Sequence, residues 1–369
     1  SWRDVRRAVA QLTVHLEVYR TYLDGSPPSP ADASRLAHAR SAATTGDPQA
    51  DRALRLISDG MLQVEAPSAW LQVAQRWQQL SGAVMAKGVE DTATYRYAGL
   101  LAHADVGCNP DRAATTVDEF HRFARTQSAR PATLNATSTH DSKRNEDARC
   151  RLAVLSEAHD EWGALVRRWH RRNAGPTAPD AAAQLVAYQT LAALWPPGRD
   201  RLSSSDLHRV RDYAIKAARE AGRHTTWTEP DQRYERSLTA FINRVARQPA
   251  FRTEMTRFVR AIGPAASTNA LALLVLKTTS PGVPDFYQGT EFFEPTLTDP
   301  DNRRPVDFDA RRHALATLPP TPALTGQARQ VAQLLSGWES GHVKLHVTRA
   351  LLHLRRELPD LFTAGSYVP

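Results

Sequence analysis

Cysteine is scarce in this sequence of 369 residues. Only Cys108 and Cys150 occur, and neither lies in a CxxC or Cys/His pattern that would hold a metal ion, so we expect no metal site. This scarcity argues against a disulfide framework and favours a reducing compartment, and we therefore expect a cytoplasmic protein. Both cysteines are expected to be small, buried, apolar side chains.

Long apolar runs are also missing. The longest strong run, Ala270–Leu276, is far shorter than the roughly 18 residues that a membrane span needs, so we expect no membrane association. The amino terminus shows no basic-then-apolar signal pattern. The net charge of +8 comes mostly from arginines that are spread among acidic residues. Because no basic stripe or known module accompanies this charge, we expect no nucleic-acid partner.

Helical periodicity dominates what is present. Val5, Val9 and Leu12 recur at spacings of four and three, which predicts one helix face near the start of the chain. Farther along, the short apolar runs Ala83–Met85 and Thr133–Ala136 end in dense polar clusters. Strands that lead into polar loops are how α/β barrels build their active-site face, so we predict strands at these two runs.

The most informative polar cluster follows the second of these strands. His140 and Asp141 combine a donor with a carboxylate, which suits sugar hydroxyls because each hydroxyl both donates and accepts hydrogen bonds. A carboxylate can also stabilise an oxocarbenium-like transition state. The alternative is that Asp141 caps the helix that follows. The spacing by itself leaves both interpretations open.

Two other clusters have similar alternatives. Lys87 with Glu90 and Asp91 fits either a binding site or a surface ion-pair set at i,i+3 and i,i+4 spacing. Tyr287 fits either the core or a platform on which a sugar ring stacks. The charged residues of Asp299–Val306 fit structural salt bridges at a loop.

Taken together, four segments resemble the maltooligosyltrehalose synthase family, which belongs to the α-amylase superfamily of glycoside hydrolases. The segments are Met85–Tyr97 (MAKGVEDTATYRY), Asn135–Asp147 (NATSTHDSKRNED), Ser280–Glu291 (SPGVPDFYQGTE) and Asp299–Asp307 (DPDNRRPVD). The resemblance runs almost from end to end of the chain, and four motifs in this order are a specific signal.

The resemblance implies an α/β fold: the C-terminal part of a (β/α)8 TIM barrel with large α-helical insertions. Thr137–Asp141 would lie at the seventh barrel strand, Val283–Gly289 would form the eighth strand and Val343–Leu358 the eighth helix. The implied domains are a helical insertion over 1–75, a barrel segment with the His140–Asp141 strand end over 76–148, a second helical insertion over 149–262, and the last strand, its loop and the final barrel helix over 263–369.

The activity that the resemblance implies is an intramolecular transglucosylation. It converts the reducing-end α-1,4 bond of a maltooligosaccharide into an α,α-1,1 bond and needs no cofactor. Asp141 would be the transition-state stabiliser. The nucleophilic Asp and the acid/base Glu are expected upstream of Ser1, so we expect the isolated chain to be inactive and the N-terminal half of the enzyme to be its partner. An α-glucan hydrolase and a non-catalytic carbohydrate-binding fragment are the alternatives.

The resemblance also places a set of polar side chains around the sugar. The candidate substrate-binding residues are His140, Lys143, Arg144, Glu146, Asp147, Lys87, Glu90, Asp91, Tyr95, Tyr287, Gln288 and Glu291. For each of them the alternative is a structural ion pair or contact that shapes a loop. For Lys143, Arg144 and Asp147 the two interpretations are equally supported by the sequence.

Overall fold

The computed structural model describes residues 1–63, 68–112, 114–318 and 328–369. These residues divide into two compact units, Ser1–Thr94 and Tyr95–Pro369. Helix is the main secondary structure of both units.

The first unit consists of helices. They are α1 (Trp2–Val14), α2 (Pro30–Ala43), α3 (Pro48–Leu62) and α4 (Ser68–Met85), and α4 continues as a π-helical stretch, Ala86–Ala93. Asp47 accepts hydrogen bonds from the first free amides of α3, and a proline at the first helical position fits there because its missing N–H needs no partner. Leu12, Leu36 and Trp77 are buried in the core that these helices share.

The strand predicted at Ala83–Met85 is wrong, because these residues form the last turn of α4. The short apolar run belongs to a longer helical pattern that includes the buried Trp77. Three apolar residues in succession do not by themselves distinguish a strand from a helix.

The second unit holds most of the helices. They are α5 (Thr94–Arg96, which begins at the boundary between the units), α6 (Val117–Ser128), α7 (Glu146–Ala153), α8 (His159–Asn173), α9 (Ala181–Leu194), α10 (Ser204–Ala221), α11 (Gln232–Arg247), α12 (Pro249–Thr279), α13 (Phe308–Thr317), α14 (Ala328–Ser336), α15 (His342–Glu357) and α16 (Pro359–Thr363). Short 3₁₀ turns lie at Leu101–His103, Val154–Ser156, Asp301–Arg303 and Trp338–Ser340. Aromatic side chains fill the main core, with Trp169 and Phe251 at a ring-centroid distance of 4.6 Å.

Helix α12 spans 31 residues and packs against α7, α11 and α15. It continues past Pro264, so the domain boundary predicted between residues 262 and 263 falls inside it. By length and composition alone it could cross a membrane. However, it buries Phe251, Phe258 and Leu274 in the protein interior, as the core helix of a globular protein does.

Two short strands, β1 (Leu134–Asn135) and β2 (Val283–Pro284), form a parallel pair. Leu134 lies opposite Val283, and the Val283 amide donates to the Thr133 carbonyl at 2.8 Å. Gly282, which precedes β2, has φ +114°, and a Cβ there would lie 2.7 Å from that same carbonyl oxygen. Because the strands are parallel, the segments that leave their carboxyl ends emerge at the same edge of the sheet.

The comparison with the predicted fold is therefore mixed. The helix-rich character is confirmed, as are strands within Thr133–Ala136 and at Val283 and a final long helix near Val343–Leu358. The placement of Thr137–Asp141 at a strand is wrong, because these residues lie in the loop that follows β1. A (β/α)8 barrel is not shown, because the described ranges contain one two-stranded sheet. The second strand is also shorter than the predicted Val283–Gly289, since the chain leaves the sheet after Pro284.

Candidate glucan-binding site

The loop that follows β1, residues 136–145, is here called the strand-end loop. Asp141 lies in it with a side chain that is 51% exposed, and its amide donates to the Thr139 hydroxyl at 3.2 Å. Helix α7 is capped by Asn145, whose side chain accepts from the Ala148 amide at 3.0 Å. The interpretation of Asp141 as a helix cap is therefore wrong, and its carboxylate faces outward from the loop.

Lys143 lies directly beside this carboxylate. Its Nζ is 3.2 Å from Asp141 Oδ1 and 5.7 Å from the ring centroid of Tyr95, while the lysine side chain is almost completely buried. A buried ammonium next to a half-exposed carboxylate holds that carboxylate in one place, because opposite charges attract strongly where water is excluded. Tyr95 is also buried, and burial raises the pKa of its hydroxyl.

Asp105 anchors the backbone of the strand-end loop. One of its carboxylate oxygens accepts the Lys143 amide at 3.2 Å and the other accepts the Arg144 amide at 3.1 Å. Arg149 pairs with the second oxygen at 3.2 Å. The sequence analysis did not identify Asp105. Asp105 lies 38 residues before Lys143, so no short sequence spacing connects it to the loop.

Arg144 and Asp147 have protein partners for their side chains. The Arg144 guanidinium donates to the Tyr213 hydroxyl at 2.6 Å and to the Ala104 carbonyl at 2.5 Å. Asp147 accepts from Lys344 at 2.7 Å and from the Glu294 amide at 3.1 Å. Both side chains are buried, so the geometry favours the structural interpretation for them, and contact with substrate stays a prediction.

A buried cluster of four charges supports the start of α7. Lys344 Nζ from α15 lies 2.9 Å from Glu146 and 2.7 Å from Asp147, and Lys277 Nζ from α12 lies 3.3 Å from Glu146. The Thr137 hydroxyl also donates to Glu146, which ties the strand-end loop to the cluster. Two lysines and two carboxylates make the cluster neutral, which is the condition under which buried charges are tolerated.

The two carboxyl groups of this cluster have different acidities. Burial opposes ionisation of Glu146, but Lys344 and Lys277 outweigh it and lower its pKa to about 2. Burial, together with the adjacent Glu146 carboxylate, raises the pKa of Asp147. Neighbouring carboxyls that share one ammonium separate in this way because one of them takes most of the stabilisation. The sequence analysis did not identify this cluster, although Lys277 directly after the apolar run Ala270–Leu276 is a signal that could have indicated it.

The segment that follows β2, residues 285–291, is here called the exit segment. Tyr287 is half-buried in it and Gln288 is exposed. Glu291 accepts from Arg311 Nε at 2.9 Å, and Arg311 also donates to the Gly289 carbonyl at 2.9 Å. Glu291 is thus held by a buried arginine, while Tyr287 and Gln288 remain accessible on the same segment.

Asn302 connects the two segments. Its side-chain amide donates to the His140 carbonyl at 2.9 Å, and its backbone carbonyl accepts from Gln288 Nε2 at 3.3 Å. The structure therefore links the backbone at His140 to the Gln288 side chain through one shared residue, while proximity of Tyr287 to Asp141 stays a prediction. Asn302 belongs to the DPDNRRPVD motif, but the sequence analysis assigned it no role.

Lys87, Glu90 and Asp91 belong to the first unit. Lys87 pairs with Asp91 one helical turn away, and the Tyr19 hydroxyl donates to Glu90. This matches the surface ion-pair interpretation, and sugar contact by these three residues stays a prediction. Within the described ranges, no group of three or more His, Cys, Asp or Glu side chains is placed to hold a metal ion.

Comparison with known proteins agrees with the motifs. No family model matches the chain. A putative maltooligosyl trehalose synthase of Mycobacterium tuberculosis is 36% identical over 363 residues, which is 98% of this chain and 42% of the relative. The solved maltooligosyltrehalose synthase of Arthrobacter ramosus is 35% identical with a TM-score of 0.79, over 98% of this chain and 44% of that one.

A more distant structure matches in the same way. The hypothetical maltooligosyl trehalose synthase of Sulfolobus tokodaii is 29% identical with a TM-score of 0.75, over 96% of this chain and 44% of that chain. The chain thus spans less than half of the length of these relatives. In both sequence and fold, the chain is a relative of the maltooligosyl trehalose synthases and matches a C-terminal portion of them.

Proposed function

We propose that this chain contributes part of the glucan site of an enzyme that converts the reducing-end α-1,4 bond of maltooligosaccharides into an α,α-1,1 bond. Asp141 is the proposed transition-state stabiliser, with His140 as a neighbouring sugar contact and the buried Lys143 as the cation that holds the Asp141 carboxylate. The proposal is supported by the similarity to maltooligosyl trehalose synthases and by the position of the strand-end loop at the carboxyl edge of a parallel sheet.

One observation carries the proposal. The Asp141 carboxylate is half exposed, whereas Lys143, Arg144 and Asp147 around it are buried. Asp105 and Asn302 hold the loop on either side of it. A carboxylate presented to solvent from a rigid loop is preorganised to accept sugar hydroxyls and to face a developing positive charge, which is the electrostatic form of catalysis.

The proposed reaction is retaining and needs two further carboxyl groups, a nucleophile and an acid/base, about 5–5.5 Å apart. We propose that another polypeptide segment, the N-terminal half of the same enzyme, supplies them. The isolated chain is then expected to bind glucan without rearranging it. The freed glucose has to turn and react before water does, so a closed acceptor site that includes His140 and Tyr287 is part of the proposal. We propose a cytoplasmic location, for which the scarcity of cysteine in the sequence is the support.

Binding is tested by isothermal titration calorimetry of this chain with maltopentaose. We expect saturable heat at millimolar sugar, and Asp141→Asn should weaken binding by about tenfold, because hydrogen bonds to a charged group contribute about 1.5–3 kcal/mol. Asp212→Asn is the matched control, since Asp212 is 53% exposed and pairs with His208 at 3.1 Å. Absence of heat with the unmodified chain, or equal losses in both variants, would contradict the proposal.

The type of reaction is tested by the products. When the chain is combined with the N-terminal half of a related synthase, a mutase removes reducing ends without releasing glucose. An α-glucan hydrolase instead increases the number of reducing ends. Reducing-sugar and glucose assays on the same sample therefore separate the two activities, and an increase in reducing ends would refute the mutase assignment.

A further inference from the structure

Asn302 is positioned to control the strand-end loop. It lies in the 3₁₀ turn Asp301–Arg303 and is only 6% exposed. Its side-chain amide donates to the His140 carbonyl at 2.9 Å and to the Thr139 carbonyl at 3.4 Å. These two carbonyls immediately precede Asp141, so the donor sets the direction in which the chain delivers that carboxylate.

The turn that carries Asn302 is itself rigid. Arg209 holds the Asp301 carboxylate with two bonds, from Nε at 2.6 Å and from its terminal nitrogen at 2.9 Å. The same carboxylate accepts the Leu297 amide at 2.8 Å. A bidentate pair of this kind fixes orientation as well as distance. Asn302 therefore donates from a turn that Arg209 and the Leu297 amide hold in place.

We propose that Asn302 is a positioning residue of the glucan site, which it serves by aligning the Thr139–His140 carbonyls and Gln288 with one another. This inference rests on the proposed function for its purpose, but the alignment itself is a property of the described contacts. Asn302 touches no reacting atom. Loss of its amide donor removes the side-chain partner of the His140 carbonyl and leaves the Thr139 carbonyl with the Ser142 amide at 3.3 Å, which loosens the loop in front of Asp141.

The donor can be removed without changing the shape of the side chain. Asn302→Asp replaces the amide by a carboxylate, which repels both carbonyls. When protonated, the new carboxyl donates one hydrogen bond again. Its charged form is disfavoured by burial and by the carboxylates of Glu294 and Asp301 that line the same cavity, and favoured by Arg304 there. His140, Asp141, Lys143 and Arg144 are the titratable groups on the loop that faces it.

Hydrogen exchange read by mass spectrometry tests the alignment. Exchange over residues 137–145 is compared in the unmodified chain, Asn302→Asp and Asn302→Leu at pH 7.5 and pH 5, after correction for intrinsic rates. At pH 7.5 we expect both variants to exchange at least tenfold faster in this loop and unchanged in α8–α11. At pH 5 we expect the exchange rate of this loop to return to that of the unmodified chain in Asn302→Asp but not in Asn302→Leu. The unmodified chain and Asn302→Leu report any titration of the neighbouring groups.

Three results would overturn the inference: unchanged exchange in the loop, the same response of both variants at both pH values, or faster exchange throughout the second unit at both pH values. Maltopentaose affinity measured in parallel connects the alignment to the sugar. We expect Asn302→Asp to bind about tenfold more weakly at pH 7.5 and normally at pH 5, each relative to the unmodified chain. If the unmodified chain gives no heat, the proposed function fails while the exchange data still decide the role of Asn302.

Discussion

Replacement of Lys344 by methionine tests the buried charge cluster. Lys344 is fully buried and makes ionic hydrogen bonds of 2.9 Å to Glu146 and 2.7 Å to Asp147. Methionine fills the aliphatic part of the site without creating a large cavity. The cluster changes from neutral to a net charge of −1. Glu146 keeps Lys277 at 3.3 Å, but Asp147 loses its ammonium partner. We expect a loss of about 3–5 kcal/mol, the usual result of leaving a buried charge uncompensated.

The measurement is the free energy of unfolding in urea, followed by tryptophan fluorescence of the second unit. Arg312→Met is the control, because Arg312 pairs with Asp309 on the surface and its removal should cost at most about 1 kcal/mol. Both variants lose one positive charge, so a difference between their losses of unfolding free energy reports the effect of burying the charge. A loss below about 1 kcal/mol for Lys344→Met at pH 7 would refute the view that these charges depend on one another.

The pH dependence of this loss has a definite sign. In the unmodified chain the pKa of Glu146 is lowered to about 2, so its stabilisation is complete above the unfolded value near 4.3 and disappears as the pH falls towards 2. In Lys344→Met, burial without an ammonium raises the pKa of Asp147 further, so that variant gains stability on acidification. The difference between the two proteins should therefore be largest at neutral pH and shrink as the pH falls through the raised pKa of Asp147. It should shrink further below about pH 4, where the unmodified chain loses the Glu146 contribution.

Two further predictions concern the sheet and the thiols. Gly282→Ala should destabilise the second unit by about 1–3 kcal/mol more than Gly107→Ala. Both glycines have a positive φ, but only at Gly282 would a Cβ lie against a backbone oxygen. Urea unfolding of the two variants measures the difference, and equal losses of stability would contradict the prediction. Cys108 is exposed, so the expectation that both cysteines are buried is wrong for it. A thiol reagent at pH 8 should modify Cys108 in the native chain and Cys150 only after denaturation, because burial raises the pKa of Cys150 to about 12. Two reactive thiols in the native state would be inconsistent with this prediction.

Several features of the site could be predicted from short stretches of sequence. The strands at Thr133–Ala136 and Val283, and the helix that carries Lys344, follow from local apolar patterns. The ordered motifs around Asp141 and Tyr287 were sufficient to indicate the family. Ala83–Met85 shows the limit of this approach, since a three-residue run has no period and the surrounding helix decided its conformation.

The amino-acid sequence by itself determined the order of the motifs, the helix-rich character and the family to which they are related. Only the tertiary structure decided that Arg144 and Asp147 are buried and that Asp105 and Asn302 hold the loop between them. The physical reason is the separation in sequence between the residues that interact. Helix periods and caps are set by neighbours within a few residues, whereas these hydrogen bonds join residues that are 38 to 162 positions apart.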